Sequence, residues 1–315
     1  MAFVRRAVID VGTNSVKLLV ADVCGEIVRP VHEESKQSRL GEGFFETNQL
    51  QPVPIQRTAE AVARFGEIAR ALNAVSIRAI ATSAARDSVN PEDLVSAIAR
   101  AAGLKVEIIS GDQEANWVFS GVATDQRLAS SPLLLLDVGG GSTEFILGCG
   151  RVKRFCASFP VGTVRLMETI PQSNPPTAGE LAVTREWLRN FFSIAVRPEL
   201  EPALRREAAS GNEPVRLVGT GGTTSILARM ESGLPKFNRE QIEATRLTLE
   251  RVRWHTDHLW SLPRAAREEI VGLPRKHADV ILTGAAIYEA IMTQFGFSEL
   301  IVSTRGLRFA VAMAG

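Results

Sequence analysis

The chain has 315 residues, of which 45% are hydrophobic and 23% are charged, and its formal net charge is +1. These fractions are those of an ordinary soluble globular protein, and the length suits about two domains that each bury a core. The small net charge excludes binding of nucleic acid or of an anionic membrane through overall charge, so any polyanion site must be local.

The cysteines and the hydrophobic runs bear on location. Cys24, Cys149 and Cys156 show neither the spacing of a metal site nor the even count of a disulfide framework, which favours a reducing compartment. No apolar run approaches the roughly 18 residues of a spanning helix. Asp10 also interrupts the N-terminal run too early for a signal peptide. We therefore expect a cytoplasmic protein that does not enter the membrane.

The first half of the chain alternates between predicted strands and helices. Ile55, Val62 and Ala69 recur at seven-residue spacing and predict an amphipathic helix that begins near Pro54. Asp112 is a good N-cap for a later helix. This alternation favours an α/β fold, a sheet covered by helices. The other predicted elements are strands at Val4–Asp10, Val16–Val23, Ser76–Ala81 and Val106–Ile109, and a helix from Pro91 to Gly103.

The second half restarts the pattern after a polar segment, Asp125–Pro132, which we interpret as the domain crossing. Val215–Val218 reads as a strand that enters a glycine-rich loop, Gly219–Ser225, followed by a helix. This is the third glycine-rich segment of the chain, after the two turns described below. Such a loop can receive an anion, but a tight turn explains it equally well. His255 and His258 lie at i, i+3 in a predicted helix and have no third ligand nearby, so we interpret them as a solvated pair.

Two glycine-containing turns share one pattern. Asp10–Ser15 reads Asp-Val-Gly-Thr-Asn-Ser, and Asp137–Glu144 reads Asp-Val-Gly-Gly-Gly-Ser-Thr-Glu, each between two apolar runs. Glycine lets backbone N–H groups approach an anion, hydroxyl groups add donors, and the acidic residue can hold a divalent cation. The repetition predicts two similar domains that grip one phosphorylated ligand between them.

Three further motifs accompany the second turn in a characteristic order. They are Arg39–Gly43 (RLGEG), Ala81–Arg86 (ATSAAR) and Ile109–Ala115 (ISGDQEA). As a set, over nearly the whole chain, these motifs resemble the exopolyphosphatase / guanosine pentaphosphate phosphohydrolase (Ppx/GppA) family. The resemblance implies two actin-like ATPase (ribonuclease H-like) domains of α/β class with a ligand cleft between them. We expect one domain to span residues 1–125 together with about 303–315, and the other to span 126–302.

Glu114 lies in the first turn of the predicted helix. Acidic residues favour helix N-termini in general, so this position alone has a structural explanation. In the family, the glutamate before the alanine of this motif is the catalytic base, and Glu114 occupies that place. A carboxylate there would orient a water and accept its proton during attack on a terminal phosphoryl group. The family usually has a second glutamate just before it, where this chain has Gln113.

The resemblance also implies the residues that bind phosphate and metal. The Arg86 guanidinium could clamp phosphate oxygens, although an ion pair with Asp87 or another acid is the alternative. Asp137 and Glu144 bracket the second turn and are the expected Mg²⁺ ligands, with Asp10 as a further one. The other expected phosphate-binding residues are Asn14, Ser15, Gly140, Gly141, Ser142 and Thr143.

The implied activity is Mg²⁺-dependent release of terminal orthophosphate from inorganic polyphosphate, or hydrolysis of the 5′ phosphate of guanosine pentaphosphate. Longer family members carry extra C-terminal domains, so we expect this 315-residue chain to favour short polyphosphates. The family also implies a homodimer. Two alternatives remain open: an ATP-dependent small-molecule kinase of the same superfamily, for which the Gly219–Ser225 loop would bind adenosine, and a non-catalytic polyphosphate or alarmone sensor.

Two further departures from the family pattern occur near the end of the chain. His277 replaces the arginine of an Arg-Ala-Asp stretch, and Phe309-Ala310 replaces an expected Glu-Gly.

Overall fold

The computed structural model describes residues 2–128, 131–210 and 213–315, so residues 129 and 130 of the predicted crossing segment lie outside the described residues. The chain forms two compact units. The first comprises the chain up to Thr124 together with Arg305–Gly315, and the second comprises Asp125–Thr304.

The first unit contains a five-stranded sheet in the order β3-β2-β1-β4-β5. The first three strands form an antiparallel meander, whereas β4 and β5 continue parallel to β1. Its elements up to Thr124 are β1 (Val4–Val11), β2 (Ser15–Cys24), β3 (Ile27–Gln37), α1 (Pro52–Ala71), β4 (Ser76–Ala81), α2 (Ser83–Arg86), α3 (Pro91–Ala102), β5 (Val106–Ile108) and α4 (Gly111–Val122).

Helix α1 covers the sheet of the first unit through the face that the sequence predicts. Ile55, Val62, Phe65 and Ala69 are buried, because residues three, four and seven apart share one side of a helix. Helix α3 begins at Pro91 and ends before Gly103, which adopts the left-handed conformation of a helix C-terminus. These predicted helix positions are confirmed.

The second unit repeats the arrangement in a six-stranded sheet of order β10-β11-β9-β6-β7-β8. Its strands are β6 (Leu133–Val138), β7 (Thr143–Cys149), β8 (Val152–Phe159), β9 (Arg216–Thr220), β10 (Arg246–Thr248) and β11 (Glu299–Val302). Its helices are α5 (Thr163–Thr169), α6 (Ala178–Phe191), α7 (Arg197–Ala209), α8 (Gly221–Glu231), α9 (Arg239–Ala244), α10 (Leu249–Trp260), α11 (Arg264–Arg267) and α12 (Ile281–Phe295). A π-helical turn at Phe192–Val196 joins α6 to α7, and a 3-10 turn at Arg275–His277 precedes α12.

The chain ends in helix α13 (Leu307–Ala314), which packs in the first unit against α4. The approach is close at one point. A Cβ added at Gly121 would lie 2.0 Å from the carbonyl oxygen of Gly306, so only glycine fits at that crossing.

The two sheets share one topology. In each, an antiparallel meander is followed by two strands parallel to its first strand: β9 and β11 in the second unit take the places of β4 and β5 in the first. The predicted α/β class with two similar helix-covered sheets is therefore confirmed.

The N-cap predicted at Asp112 is wrong. Helix α4 begins at Gly111, and the hydroxyl of Ser110 caps it by accepting a hydrogen bond from the N–H of Gln113. Serine and aspartate are comparable caps, and Ser110 precedes the helix with the extended backbone that a cap requires.

None of the helices in the described part of the chain combines the length and hydrophobicity needed to cross a membrane.

Candidate active site

The carboxyl ends of β1, β4 and β5 meet at one edge of the first sheet, because these strands are parallel. Asp10 lies near the end of β1, Arg86 ends the short helix that follows β4, and Glu114 lies in the first turn of the helix after β5. The topology thus brings three predicted site residues to the same edge.

Arg86 and Glu114 form an ion pair. Nη1 of Arg86 donates to Oε2 of Glu114 at 2.8 Å, and its Nε donates to Oδ1 of Asp87 at 3.2 Å. The Glu114 side chain is only 10% exposed, so this guanidinium offsets the cost of withdrawing the carboxylate from water. Arg86 thus makes the acidic contacts that the alternative interpretation expects, and one of its partners is the predicted base.

The first glycine turn is closed by a hydrogen bond from the N–H of Gly12 to the carbonyl of Ser15, at 3.1 Å. A second loop braces it, since the N–H of Gly41 donates to the carbonyl of Thr13 at 2.8 Å. The Oδ1 atom of Asn14 accepts a hydrogen bond from Gln37 at 3.1 Å. Ser15 is buried at the start of β2.

The second glycine turn closes in the same way, with the N–H of Gly139 donating to the carbonyl of Ser142 at 2.9 Å. The start of α5 lies directly against it: the N–H of Val164 and that of Arg165 both donate to the carbonyl of Gly140. Nε of Arg165 donates to the carbonyl of Gly141 at 2.7 Å. The two sequence repeats therefore form equivalent turns, and the second has an arginine beside it.

The hydroxyl groups of the second turn make hydrogen bonds inside the fold. Ser142 Oγ donates to Oε1 of Glu144 at 2.8 Å. Thr143 is fully buried, and its hydroxyl donates to the carbonyl of Val161. The backbone of Gly139 and Gly140, which are half-buried, is therefore the more accessible part of this turn, whereas Gly141 is buried and the two hydroxyl groups shape the turn.

Asp137 and Glu144 face each other across the β6–β7 hairpin. They are Cα partners in the antiparallel register, which puts both side chains on one face of the sheet. Glu144 is 1% exposed, and Ser158 Oγ donates a second hydrogen bond to its Oε1 at 2.9 Å. Asp137 is half-buried. The hairpin thus holds one fixed carboxylate beside a more accessible one.

The third glycine-rich loop lies against Asp137. Gly221 begins α8 with a φ of +88°, and a Cβ at that position would lie 2.5 Å from Oδ1 of Asp137. Tyr288 reaches the same loop from α12, and its hydroxyl makes a hydrogen bond with Thr224. Burial raises the pKa of the Tyr288 phenol; the bond to Thr224 opposes this rise, and the Asp137 carboxylate adds to it.

The residues of the hairpin fit a magnesium ion. Mg²⁺ commonly takes one or two carboxylates and completes its shell with water and substrate phosphate oxygens. Asp137 and Glu144 provide such a pair. In the described ranges there is no cluster of three or more His, Cys, Asp and Glu side chains arranged for a metal, so a fully protein-coordinated site is absent from them. Asp10 lies on β1 with Lys17 as its cross-strand neighbour.

The interpretation of His255 and His258 as a solvated pair is wrong for His255. Its side chain is only 3% exposed, and its Nε2 lies 2.7 Å from Oε2 of Glu231. Burial lowers the pKa of His255, and the Glu231 carboxylate acts in the opposite direction. His258 stacks on the ring of Trp254. The i, i+3 spacing indicates only that the two histidines lie on the same side of α10. It does not indicate whether that side is exposed, and at His255 it packs into the protein.

Sequence reasoning missed three residues around the second turn and the third loop: Ser158, Arg165 and Tyr288. Ser158 and Arg165 lie outside the glycine motif and approach it only through the fold of β8 and α5. Tyr288 is embedded in an apolar helix, and its being the single tyrosine of the chain was the available signal.

Comparisons with known proteins show what the chain is similar to. The model of the Ppx/GppA phosphatase family matches residues 19–313. Exopolyphosphatase 2 of Mycobacterium tuberculosis is 32% identical over 331 aligned residues, which cover 100% of this chain and 99% of the relative. The solved structure of the Aquifex aeolicus PPX-GPPA enzyme has a TM-score of 0.76 at 28% identity, covering 99% of this chain and 100% of its own.

A crystal structure of an exopolyphosphatase from Cytophaga hutchinsonii has a TM-score of 0.84 at 26% identity and covers 98% of this chain and 96% of its own. The family match extends over nearly the whole chain and includes the second glycine turn and both residues of the ion pair described above. The chain therefore belongs to the Ppx/GppA phosphatase family.

Proposed function

We propose that this protein is a Mg²⁺-dependent exopolyphosphatase that releases terminal orthophosphate from inorganic polyphosphate. The observation that carries the proposal is the ion pair, at 2.8 Å, between Arg86 and the buried Glu114 on the carboxyl edge of the first sheet. A carboxylate so placed can accept a proton, and a guanidinium beside it can contact a phosphoryl oxygen. Family membership and the names of the relatives support the same reaction.

Glu114 would orient the attacking water and accept its proton. Arg86 holds the Glu114 carboxylate in one place through Nη1. The same planar guanidinium would also contact a phosphate oxygen of the substrate. Fixing the base in this way reduces the conformational freedom that must be lost before reaction. Gln113 stands in the position of the usual second glutamate and adds no negative charge beside Glu114; its backbone N–H donates to the capping hydroxyl of Ser110, as that of a glutamate would.

The glycine turns would bind phosphate oxygens through backbone N–H groups. In the second unit Asp137 and Glu144 would hold Mg²⁺, which, when bound, neutralises phosphate charge and stabilises the charge that develops on the transferred oxygens. Ser142 and Ser158 both donate to Oε1 of Glu144. These bonds hold the carboxylate in one orientation, in which its Oε2 atom would bind the metal.

The test is orthophosphate release from polyphosphates of defined length, with Mg²⁺ or with a chelator. We expect release that requires Mg²⁺, stops on chelation and returns when Mg²⁺ is restored. Transfer of phosphate from ATP to acetate or a sugar, without release from polyphosphate, would favour a kinase. Saturable polyphosphate binding without any turnover would instead favour a sensor.

The finer features stay predictions with their own measurements. Comparing short with long chains in the same assay tests the preference for short polyphosphate, and guanosine pentaphosphate as substrate tests the second activity. The homodimer is tested by the mass in solution, and the cytoplasmic location by fractionation of cells. Each can fail without affecting the main proposal.

A further inference from the structure

Tyr288 is the single tyrosine of the chain and is completely buried on α12. Its hydroxyl makes hydrogen bonds with two segments of the second unit. One partner is Thr224 on α8, and the other is the backbone of Val138, which directly follows Asp137 at the end of β6. The phenol thus joins the strand that carries a predicted metal ligand to the third glycine-rich loop.

The hydrogen bonds around this phenol have a defined direction. Thr224 Oγ1 lies 3.0 Å from the carbonyl oxygen of Thr220, which can only accept, so Thr224 uses its single proton there. The Tyr288 O–H must then donate to Thr224. The phenol oxygen in turn accepts from the N–H of Val138.

The backbone of the third loop lies very close to this chain of hydrogen bonds, which we call the Tyr288–Thr224 relay. A Cβ added at Gly219 would lie 2.8 Å from the Thr224 hydroxyl oxygen and 3.0 Å from that of Tyr288. Two residues later, Gly221 places its backbone against Oδ1 of Asp137. The turn fixed by Tyr288 and Thr224 is therefore the same turn that contacts the Asp137 carboxylate.

We propose that Tyr288, acting through Thr224 and Val138, is a positioning residue that holds the Asp137 carboxylate in the orientation needed for a divalent cation. This inference rests on the proposed function, because it assigns Asp137 to the metal. It also gives the third loop a role at the metal ligand rather than at an adenosine. Tyr288 itself touches neither metal nor substrate.

The test is Tyr288→Phe, which removes one oxygen and keeps the ring. Mg²⁺ affinity would be measured from the rise in melting temperature with Mg²⁺ concentration, a readout that needs no activity. We expect the Mg²⁺ concentration for half-maximal stabilisation to rise about 10- to 100-fold, as for other groups that orient metal ligands. The Mg²⁺ requirement of phosphate release should shift by the same factor, while KM for polyphosphate at saturating Mg²⁺ changes little.

Two further variants separate positioning from loss of stability. Thr224→Val removes the other half of the relay and should weaken Mg²⁺ binding equally, with no further loss in the double variant. Thr256→Val is the matched control, because Thr256 is also fully buried and donates to the carbonyl four residues earlier, at 2.9 Å, but on α10. It should lower the melting temperature without changing the Mg²⁺ dependence.

The outcomes distinguish this inference from the proposed function. Unchanged Mg²⁺ affinity in Tyr288→Phe and Thr224→Val, with an active wild type, would overturn the positioning role alone. A wild type that binds Mg²⁺ more tightly than both variants but releases no phosphate would overturn the exopolyphosphatase proposal and leave the positioning role standing. If Tyr288→Phe does not fold, Thr224→Val decides alone.

Discussion

At the scale of single residues, Arg86 is shared between two carboxylates of the first unit, and the proposed chemistry depends on this sharing. Its Nη1 donates to Glu114 and its Nε to Asp87, so a single guanidinium is bound by two carboxylates at once. Only a planar group with several N–H donors can satisfy both and also contact phosphate. The same side chain therefore serves the fold and, as we propose, both the catalytic base and the substrate.

Arg86→Lys tests this sharing, because lysine keeps the charge but loses the fork. One hydrogen bond to a charged group contributes about 1.5–3 kcal/mol, so we expect kcat/KM for phosphate release to fall about tenfold to hundredfold. Arg100→Lys, at an exposed position of α3, is the control and should be nearly neutral. Equal activity of wild type and Arg86→Lys would show that the fork is not used.

At the scale of elements, short local interactions decide where helices begin. Helix α6 begins with a capping box, in which the Thr177 hydroxyl accepts from the N–H of Glu180 and the Glu180 carboxylate accepts from that of Thr177. The N–H and hydroxyl of Ser173 donate to the same carboxylate at 2.8 Å. These bonds, first the one from the N–H of Thr177 and then those from Ser173, lower the pKa of Glu180 from 4.5 to about 2.

This shift predicts a pH-dependent contribution of Glu180 to stability. Its folded-state pKa lies below the unfolded value, so the contribution is present above pH 4.5 and is lost as the pH falls towards about 2. Melting temperatures of wild type and Glu180→Gln should differ most near neutral pH and converge in acid. Glu186→Gln, on the exposed face of α6, should show little difference at any pH. A gap for Glu180→Gln that stays constant with pH would contradict the assignment.

Packing between helices makes a second prediction at this scale. Gly121→Ala would drive a methyl group into the backbone of Gly306, where α4 meets α13, and should destabilise the protein by roughly 1–3 kcal/mol or more. Gly179→Ala is the matched control, because the nearest atom to its added Cβ is 3.9 Å away. It should be neutral or slightly stabilising in thermal unfolding. Similar melting temperatures for the two variants would contradict the close approach.

At the scale of the whole molecule, the repeated glycine turns predicted the two similar sheets, because the same strand-turn-strand pattern favours the same hairpin. The helix starting at Pro91 and the buried stripe of α1 followed from local rules. Local rules left the cap of α4 open between Ser110 and Asp112, and they did not predict the burial of His255 or the neighbours of Glu144. Ser158 reaches Glu144 only because β8 pairs with β7, and Tyr288 reaches Val138 only because α12 packs in the second unit. Such contacts depend on tertiary structure that no local pattern contains.

The most direct test of the central claim compares Glu114→Gln with Asp112→Asn in phosphate release from polyphosphate with Mg²⁺. Both substitutions remove one negative charge from the first turn of α4, but Asp112 is exposed whereas Glu114 is buried against Arg86. Loss of a general base should reduce kcat about 10²- to 10⁴-fold in Glu114→Gln, while Asp112→Asn stays near the wild-type rate. Equal rates in the two variants would contradict the assignment of Glu114 as the base.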